Sequence, residues 1–352
     1  MGTIRVAWWN LQNLFDTDDD PISADLEFTV EHGWTPEVFA AKKANLAAVL
    51  RQLTGDGPPE LLGVAEIEGD DVFTDLLDEI GEANLEVVRD PDGTADLRGI
   101  DVSIAFDRRK LTVLHARSHR VNLRYPTRDI FEVVFTVNDT GESLVVLASH
   151  WPSRRRGRYE SEPSRIALAE NLAYLVRNHV RFDAAAYLGL REAGDLDAVR
   201  RRWETPVLLM GDFNDEPLDR SLVGHLQASS ERDRVAGPTN DIDGFEPEVA
   251  TYTGADIFLY NPMWSFLPGE QSGTFFLAST PTETFANRYQ VLDQFVVSRG
   301  LLVEPGLHLD PGSVRIVDDL RVATPARRPR GFDRITRRGT SDHLPITAAL
   351  AY

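Results

Sequence analysis

Apolar residues along the chain gather into short runs, and the runs stop on polar groups. Residues 3–13, TIRVAWWNLQN, alternate into an apolar strand that stops at Asn10. LLGVAEIEG (61–69) is a second strand, its apolar run broken by Glu66. LRGIDVSIAFD (97–107) and RDIFEVVFTV (128–137) read as further strands, and LVVLASH (144–150) as one that ends at His150. VLLM (207–210) is a short buried strand, after which Gly211 permits a tight turn into Asp212 and Asn214. YQVLDQFVVS (289–298) is a strand interrupted by Asp293, and SDHLPITAAL (341–350) opens with Asp342 and His343 before running on as the last strand.

Between these runs the period changes to that of a helix. Thr35 and Pro36 read as N-cap and first position of a helix whose buried face is Leu46, Val49, Leu50 and Leu53, ended by GDGPP at 55–59. Helices are expected at 70–80 and at 163–180, the latter burying Leu168, Leu172, Leu175 and Val176. Residues 181–204 are charged and helical in character, and 218–288 read as long loops with short strands; both look like insertions. Residues 318–339 form a loop rich in Arg and Pro. No linker divides the chain, so 1–352 is expected to be one α/β sandwich domain.

Composition narrows the chemistry. The chain has 352 residues, 42% of them hydrophobic, enough for a large core. It has no cysteine, which excludes disulfides, thiolate metal sites and cysteine nucleophiles. Its net charge of −19 repels polyanions at long range, so a nucleic-acid or phospholipid site must rest on local basic patches. No run reaches the roughly 18 apolar residues that a membrane span needs. The first residues enter a strand pattern at once, so no signal peptide is seen and the expected compartment is the cytoplasm, or the exterior if a leader has been removed. No obligate protein partner is evident.

One polar group in an apolar strand is usually a satisfied structural residue. Here the pattern recurs at Asn10, Glu66, His150, Asp212 with Asn214, Asp293, and Asp342 with His343. Strand ends converging on one mouth would gather these groups into a pocket. The set Glu66, Asp212, Asp342, Asn10 and Asn214 offers oxygen ligands, which select Mg²⁺ or Mn²⁺ over Zn²⁺. Asp293 is placed to hold His343, and Asp101 or another carboxylate to hold His150; a carboxylate behind an imidazole fixes its tautomer and raises its basicity. The local alternative for Asp212 and Asn214 is an Asx turn after a strand, and for Asp101 a strand-edge cap. Trp8 and Trp151 read as packing residues rather than platforms for bases.

The stretches WNLQNLFD (9–16), VAEIE (64–68), RGIDVSIAFD (98–107), SHWPSRRRG (149–157), MGDFND (210–215), LDQFVVS (292–298) and SDHLP (341–345) together resemble the endonuclease/exonuclease/phosphatase superfamily, the deoxyribonuclease I-like fold, and within it the bacterial nuclease-like branch. The resemblance implies a four-layer α-β-β-α sandwich with two stacked mixed sheets and the site at one edge. It implies that Glu66 binds metal with Asn10 beside it. Asp212 and Asn214 would orient the nucleophilic water and contact the phosphate. His150 would be the first histidine of the pattern, and Asp293 with His343 the acid–histidine pair preceded by Asp342. Arg128, in TRDIF, sits where nucleases of this fold place a phosphate-contacting arginine. Gln12 departs from the pattern, since some members carry a carboxylate there.

Two basic clusters flank site residues: Arg154, Arg155, Arg156 and Arg158 after His150, and Arg327, Arg328, Arg330, Arg334, Arg337 and Arg338 before Asp342. A charge run is usually a solvated loop, but these positions suit a positive rim for a phosphorylated substrate, with Arg154, Arg155 and Asp101 on the substrate side. The expected function is a Mg²⁺- or Mn²⁺-dependent phosphodiesterase acting as a nuclease on DNA or RNA. The rival is the same chemistry on a lipid or small-molecule phosphoester, and a third reading is an inactive binding protein of the same fold.

Overall fold

The computed structural model describes residues 2–18, 26–89, 101–123, 127–238, 241–242, 249–267, 273–278 and 288–352. In chain order the described strands are β1 (Thr3–Leu14), β2 (Leu61–Ile67), β3 (Leu85–Val87), β4 (Asp101–Asp107), β5 (Leu111–His119), β6 (Ile130–Val137), β7 (Ser143–His150), β8 (Val207–Asp212), β9 (Ala228–Ser229), β10 (Leu259–Tyr260), β11 (Phe275–Leu277), β12 (Arg288–Gln290), β13 (Asp293–Val297), β14 (His308–Leu309), β15 (Arg315–Ile316) and β16 (Ile346–Ala351). The α-helices are α1 (Pro36–Leu50), α2 (Asp70–Ile80), α3 (Arg158–Val180), α4 (Ala184–Glu192), α5 (Leu196–Trp203), α6 (Arg232–Ala236) and α7 (Val249–Gly254).

Two mixed sheets stack face to face, with helices on their outer sides. The first runs β14-β16-β1-β2-β4-β3, with β15 also on β16; the second runs β5-β6-β7-β8-β13-β10-β9. Strand alternation shows how a strand is buried on both faces. On β7, Leu144, Val146 and Ala148 join the core between the sheets, while Val145 and Leu147 pack outward on α3 through Leu168, Leu172 and Val176. On β8, Leu208 and Met210 face in, and Val207 and Leu209 face α3. The sheets approach closely at Gly63, where a Cβ would stand 2.6 Å from Met210 Cε and 2.8 Å from Trp8 Cε3.

The expected fold class is the one observed. The helix expected at 70–80 is α2, and the one expected at 163–180 starts earlier, at Arg158. Leu53 lies beyond the end of α1 yet is buried. Asp293 does not interrupt a strand; the chain breaks after Gln290 and Asp293 opens β13. The short β3 and the edge strand β5 carried no clear signal, because β5 is half exposed and breaks its alternation with a bulge between Val113 and His115. Part of the strand expected at 97–107 and of the segment 218–288 lies outside the described residues. Residues 181–204 form α4 and α5, whose Tyr187, Val199 and Trp203 pack with Tyr252 in a separate small apolar cluster.

Candidate active site

The register of the two sheets sets the site. In the second sheet His150 pairs in parallel with Asp212, and Asp212 pairs antiparallel with Asp293, so three strand ends present their polar groups at one level. In the first sheet Asn10 pairs with Ala65, just before Glu66, and Asp101 pairs with Ile67, just after it. Both facing strands are irregular here. β1 shifts register between Asn10 and Leu14, with Gln12 and Asn13 at φ of 55° and 58°; β2 bulges at Glu66, at φ 58°. Asn214 sits at φ 49°. Left-handed backbone at non-glycine residues is costly and gathers at functional sites, and a bulge re-aims the side chain it carries. The bulge on β2 carries Glu66, whose Oε1 reaches His150, while at the irregularity in β1 the Gln12 N–H donates to Asn10 Oδ1 at 2.9 Å.

Asp212 is the centre of the cluster. Its Oδ1 accepts the Asn214 amide N–H at 2.9 Å, and its Oδ2 accepts from Asn10 Nδ2 at 3.1 Å. The same Oδ2 stands 3.5 Å from His150 Nε2 and 3.8 Å from His343 Nε2, and His150 Nε2 stands 3.8 Å from Glu66 Oε1. The carboxylates facing His150 Nε2 are thus Asp212 and Glu66. His343 Nδ1 donates to Asp293 Oδ2 at 2.7 Å, which sets the tautomer and aims Nε2 at Asp212. The other oxygen, Asp293 Oδ1, accepts from Trp8 Nε1 at 2.9 Å. Trp9 Nε1 donates to the His343 carbonyl at 2.9 Å, and the Ser341 hydroxyl donates to the Asn10 carbonyl at 2.6 Å while accepting the His343 N–H at 3.0 Å.

Burial and charge set the protonation. Burial, with the Asp293 and Glu66 carboxylates adding to it, pushes the Asp212 carboxyl up to about 7 against the pull of His343. Burial alone would lower His343, but Asp293 and Asp212 outweigh it and raise the imidazole well above its ordinary value. Burial also raises Asp342, and the neighbouring Glu66 adds to that. Asp212, Asp293 and His343 bring ligand-capable atoms within 4.8 Å of one another, enough to hold a metal ion. Both Asp293 oxygens already accept hydrogen bonds, however, so Asp293 serves His343 rather than a cation. Glu66 instead raises the buried Asp342 carboxyl by proximity, and an oxygen-coordinated divalent cation beside the two would relieve that repulsion. The donor set therefore fits such an ion.

The remaining expected residues divide. Arg128 is buried at the site and its Nη1 donates to the Trp151 carbonyl at 3.1 Å, the same oxygen that accepts from Asn214 Nδ2 at 3.0 Å. Asp101 opens β4 on the site edge, and its Oδ1 accepts its neighbour's N–H at 2.7 Å, as a strand-edge cap does. Arg154 departs from the expectation of a substrate-facing rim. Its side chain is 13% exposed and turned inward, donating to the Asn214 carbonyl and pairing with Asp215 at 2.8 Å and with Asp219. Arg158 pairs with Asp219 as well, and Arg165 Nε lies 2.8 Å from Asp215 Oδ2. These carboxylates hold the arginines, and the network fixes the turn that carries Asn214. Arg155 is exposed, with no ion-pair partner among the described residues.

Two groups escaped the sequence reading. Trp8 is packed as expected, but its indole N–H also anchors Asp293. Lys42 on α1 is fully buried and donates to the carbonyls of Gln12 and of Asn13, the latter at 3.2 Å. Burial lowers its ammonium to about 7, while Glu66 and Asp342 pull the other way. The signal was present: Lys42 is four residues before Leu46, on the buried face of the helix. Two cavities beside α3, of about 490 and 480 Å³, include none of these residues.

A sequence profile described as Endonuclease/Exonuclease/phosphatase family matches residues 5–351. Among solved structures, the chain is similar to D. rerio TDP2 complexed with single strand DNA product, at 12% identity, TM-score 0.55, covering 100% of both chains. It is similar to the mannosyl-6-phosphatase Bt3783 of Bacteroides thetaiotaomicron, at 13% identity and TM-score 0.54, covering 99% of this chain and 100% of that one. An endonuclease/exonuclease/phosphatase family protein of the same bacterium aligns at 14% identity and TM-score 0.53, covering 99% and 97%. No curated protein sequence matches.

Proposed function

The chain belongs to the endonuclease/exonuclease/phosphatase family, and from that premise we propose that it is a Mg²⁺- or Mn²⁺-dependent phosphodiesterase that cuts nucleic-acid strands. One observation carries the reading: a single buried carboxylate oxygen, Asp212 Oδ2, is met by Asn10, His150 and His343 at 3.1, 3.5 and 3.8 Å, with His343 backed by Asp293. Such a group is poor packing and good chemistry. Asp212, raised in pKa and fixed by two hydrogen bonds, orients the attacking water and takes its proton as the new P–O bond forms; the P–O bond to the departing strand breaks, and its oxygen leaves as a hydroxyl after taking a proton from water. His343, kept protonated by its carboxylates, and Asn10, Asn214 and Arg128 surround the charge that grows on the phosphorane oxygens. A divalent cation on Glu66 and Asp342, with Asn10 beside it, would supply charge neutralisation at a non-bridging oxygen.

The second reading is a phosphoesterase for a small or lipid phosphoester. The net charge of −19 favours it, since binding duplex DNA usually takes a broad basic face, and the structurally similar Bt3783 is a mannosyl-6-phosphatase. Turnover of plasmid DNA, single-stranded DNA, RNA, a small diester, a phosphomonoester and sphingomyelin, each with EDTA, Mg²⁺, Mn²⁺ or Zn²⁺, separates the two. Strand cleavage restored by Mg²⁺ or Mn²⁺ supports the first reading. Turnover of the monoester or sphingomyelin alone replaces it with the second, and full activity in EDTA removes the metal.

A further inference from the structure

The arginine-rich loop before Asp342 does more than line a rim. A cavity of about 350 Å³ opens between this loop and α1, lined among others by Asn45, Arg321, Arg330, Arg337, Arg338 and Thr340. We infer that this cavity is a second phosphate-binding site, which takes a non-scissile backbone phosphate of the strand being cut. The inference rests on the nucleic-acid reading above.

Charge is the first observation. Arg321 is paired with Asp319 at 2.5 Å, but the exposed guanidinium groups of Arg330, Arg337 and Arg338 make no ion pair within 4 Å among the described residues, Arg337 having only a longer-range attraction to the exposed Glu37. The chain as a whole has 56 acidic residues against 37 basic ones. Uncompensated cations around one cavity in such a protein repel each other, and a bound anion relieves that repulsion. Elsewhere in the loop the arginines are already engaged. Arg334 lies over the rings of Phe28 and Trp34, Arg328 over Phe276, and Arg327 pairs with Asp318. The arginines that line the cavity are thus the ones in this loop with neither a ring nor an ion pair within 4 Å, Arg321 apart.

Rigidity is the second. Asn45 Nδ2 donates to the Arg337 and Gly339 carbonyls at 3.1 and 2.9 Å. The Thr340 N–H donates to the Arg330 carbonyl at 2.7 Å, and the Asp333 N–H to the Arg338 carbonyl at 2.9 Å. At Gly339, φ is 86° and a Cβ would stand 2.1 Å from the Gly331 carbonyl oxygen, so the loop closes on itself as only glycine allows. The backbone that carries the three arginines is thus an ordered frame, which lowers the part of the entropy lost on binding an anion that the loop itself would contribute.

Position is the third. Thr340 is two residues before Asp342, so its Cα is at most about 7.6 Å from that of a site residue. The cavity therefore adjoins the centre in sequence, on the side where a strand leaving the centre would meet the arginines if it passes this loop. Guanidinium groups suit this ligand through their forked donors.

The test is a triple variant, Arg330→Gln, Arg337→Gln and Arg338→Gln, compared with Arg330→Lys, Arg337→Lys and Arg338→Lys. A charge-matched control replaces the exposed Arg108, Arg177 and Arg201, on other faces, by Gln. Steady-state cleavage of a single-stranded oligonucleotide is measured against ionic strength, beside turnover of bis(p-nitrophenyl) phosphate. Each lost contact should remove about 0.7 from the log–log salt slope, so about 2 for the Gln triple. KM for the oligonucleotide should rise at least tenfold with kcat within twofold, and the Lys triple should recover most of the slope. The control should not change, and the small diester should not distinguish the Gln triple from wild type. If wild type cleaves the oligonucleotide and the Gln triple matches it in KM and slope, the cavity is not a phosphate site and the nuclease reading stands. If wild type hydrolyses only the small diester, both fall.

Discussion

At the scale of single residues, the site is a set of polar groups each held by a named partner, so conservative changes should read out roles rather than folding. Asp212→Asn keeps the shape and removes the proton acceptor. Its kcat should fall at least ~10²-fold, the scale for one preorganised group, with an unchanged circular dichroism melt. Activity within a few-fold of wild type would place the water elsewhere. Trp8→Phe removes the N–H that anchors Asp293, together with part of a fully buried ring system. Loss of such an orienting partner costs roughly 10–100-fold in the metal sites where it has been measured, so kcat should drop about tenfold with KM little moved. Asn10, Glu66, Asp212, Asp293 and His343 were legible in the sequence because each lies in or beside an apolar run, where a polar side chain has no packing reason to be. Lys42 was not, because a lysine on a helix ordinarily lies on a solvated face and only its phase with Leu46 marks it. Arg154 misled for the opposite reason. A run of arginines looks solvated, and the buried carboxylates Asp215 and Asp219 that hold it come about 60 residues later in sequence.

At the scale of elements, the order of strands is what aligns the chemistry. β7, β8 and β13 were readable as apolar runs, yet only their pairing puts His150, Asp212 and Asp293 level, and pairing is a long-range property that no local pattern encodes. The bulges on β1 and β2 are equally silent in the sequence, because nothing about Gln12 or Glu66 demands a left-handed backbone. The turn after β8 depends on the arginine–carboxylate network behind it. Arg154→Ala leaves Asp215 and Asp219 short of a partner in a largely buried place, and should cost on the order of 3 kcal/mol in urea unfolding. An Arg154→Ala protein as stable as wild type, with the oligonucleotide salt slope lowered, would return Arg154 to the rim. Gly63→Ala should cost about 1–3 kcal/mol, since the new methyl meets Met210 and Trp8 where the two sheets approach closely.

At the scale of the whole molecule, the outer face carries a charge cluster with a stability consequence. On the far side of β6, Glu132 accepts from His119 at 3.0 Å and stands 3.1 Å from His179 at the end of α3. Burial would raise this carboxyl, but the two imidazoles win and hold it well below the ordinary carboxylate range. A depressed carboxyl stabilises the fold above its unfolded pKa, near 4.3, and that contribution is lost as pH falls from there toward the folded value. Stability measured from pH 5 downward should therefore decline less steeply in Glu132→Gln than in wild type, and parallel slopes would show that the cluster adds nothing. The class of fold was legible because many apolar strands with interspersed helices leave few ways to bury them all. The stacking of the two sheets was not, and the four-layer arrangement came from the family resemblance.

The pairing of β1 with β16 has a consequence in time. Asn10 and His343 are joined through Ser341, and Trp9 reaches the His343 carbonyl, so the two halves of the centre are separated by nearly the entire length of the polypeptide. During vectorial synthesis β1 emerges before β16 and waits for that partner until Ile346–Ala351 have been made. A ribosome-tethered chain stalled before residue 341 holds Asn10, Glu66, His150, Asp212 and Asp293 but lacks the imidazole that completes them. In the strand-cutting reading proposed above, such a chain lacks one of the groups the chemistry calls on until β16 is in place.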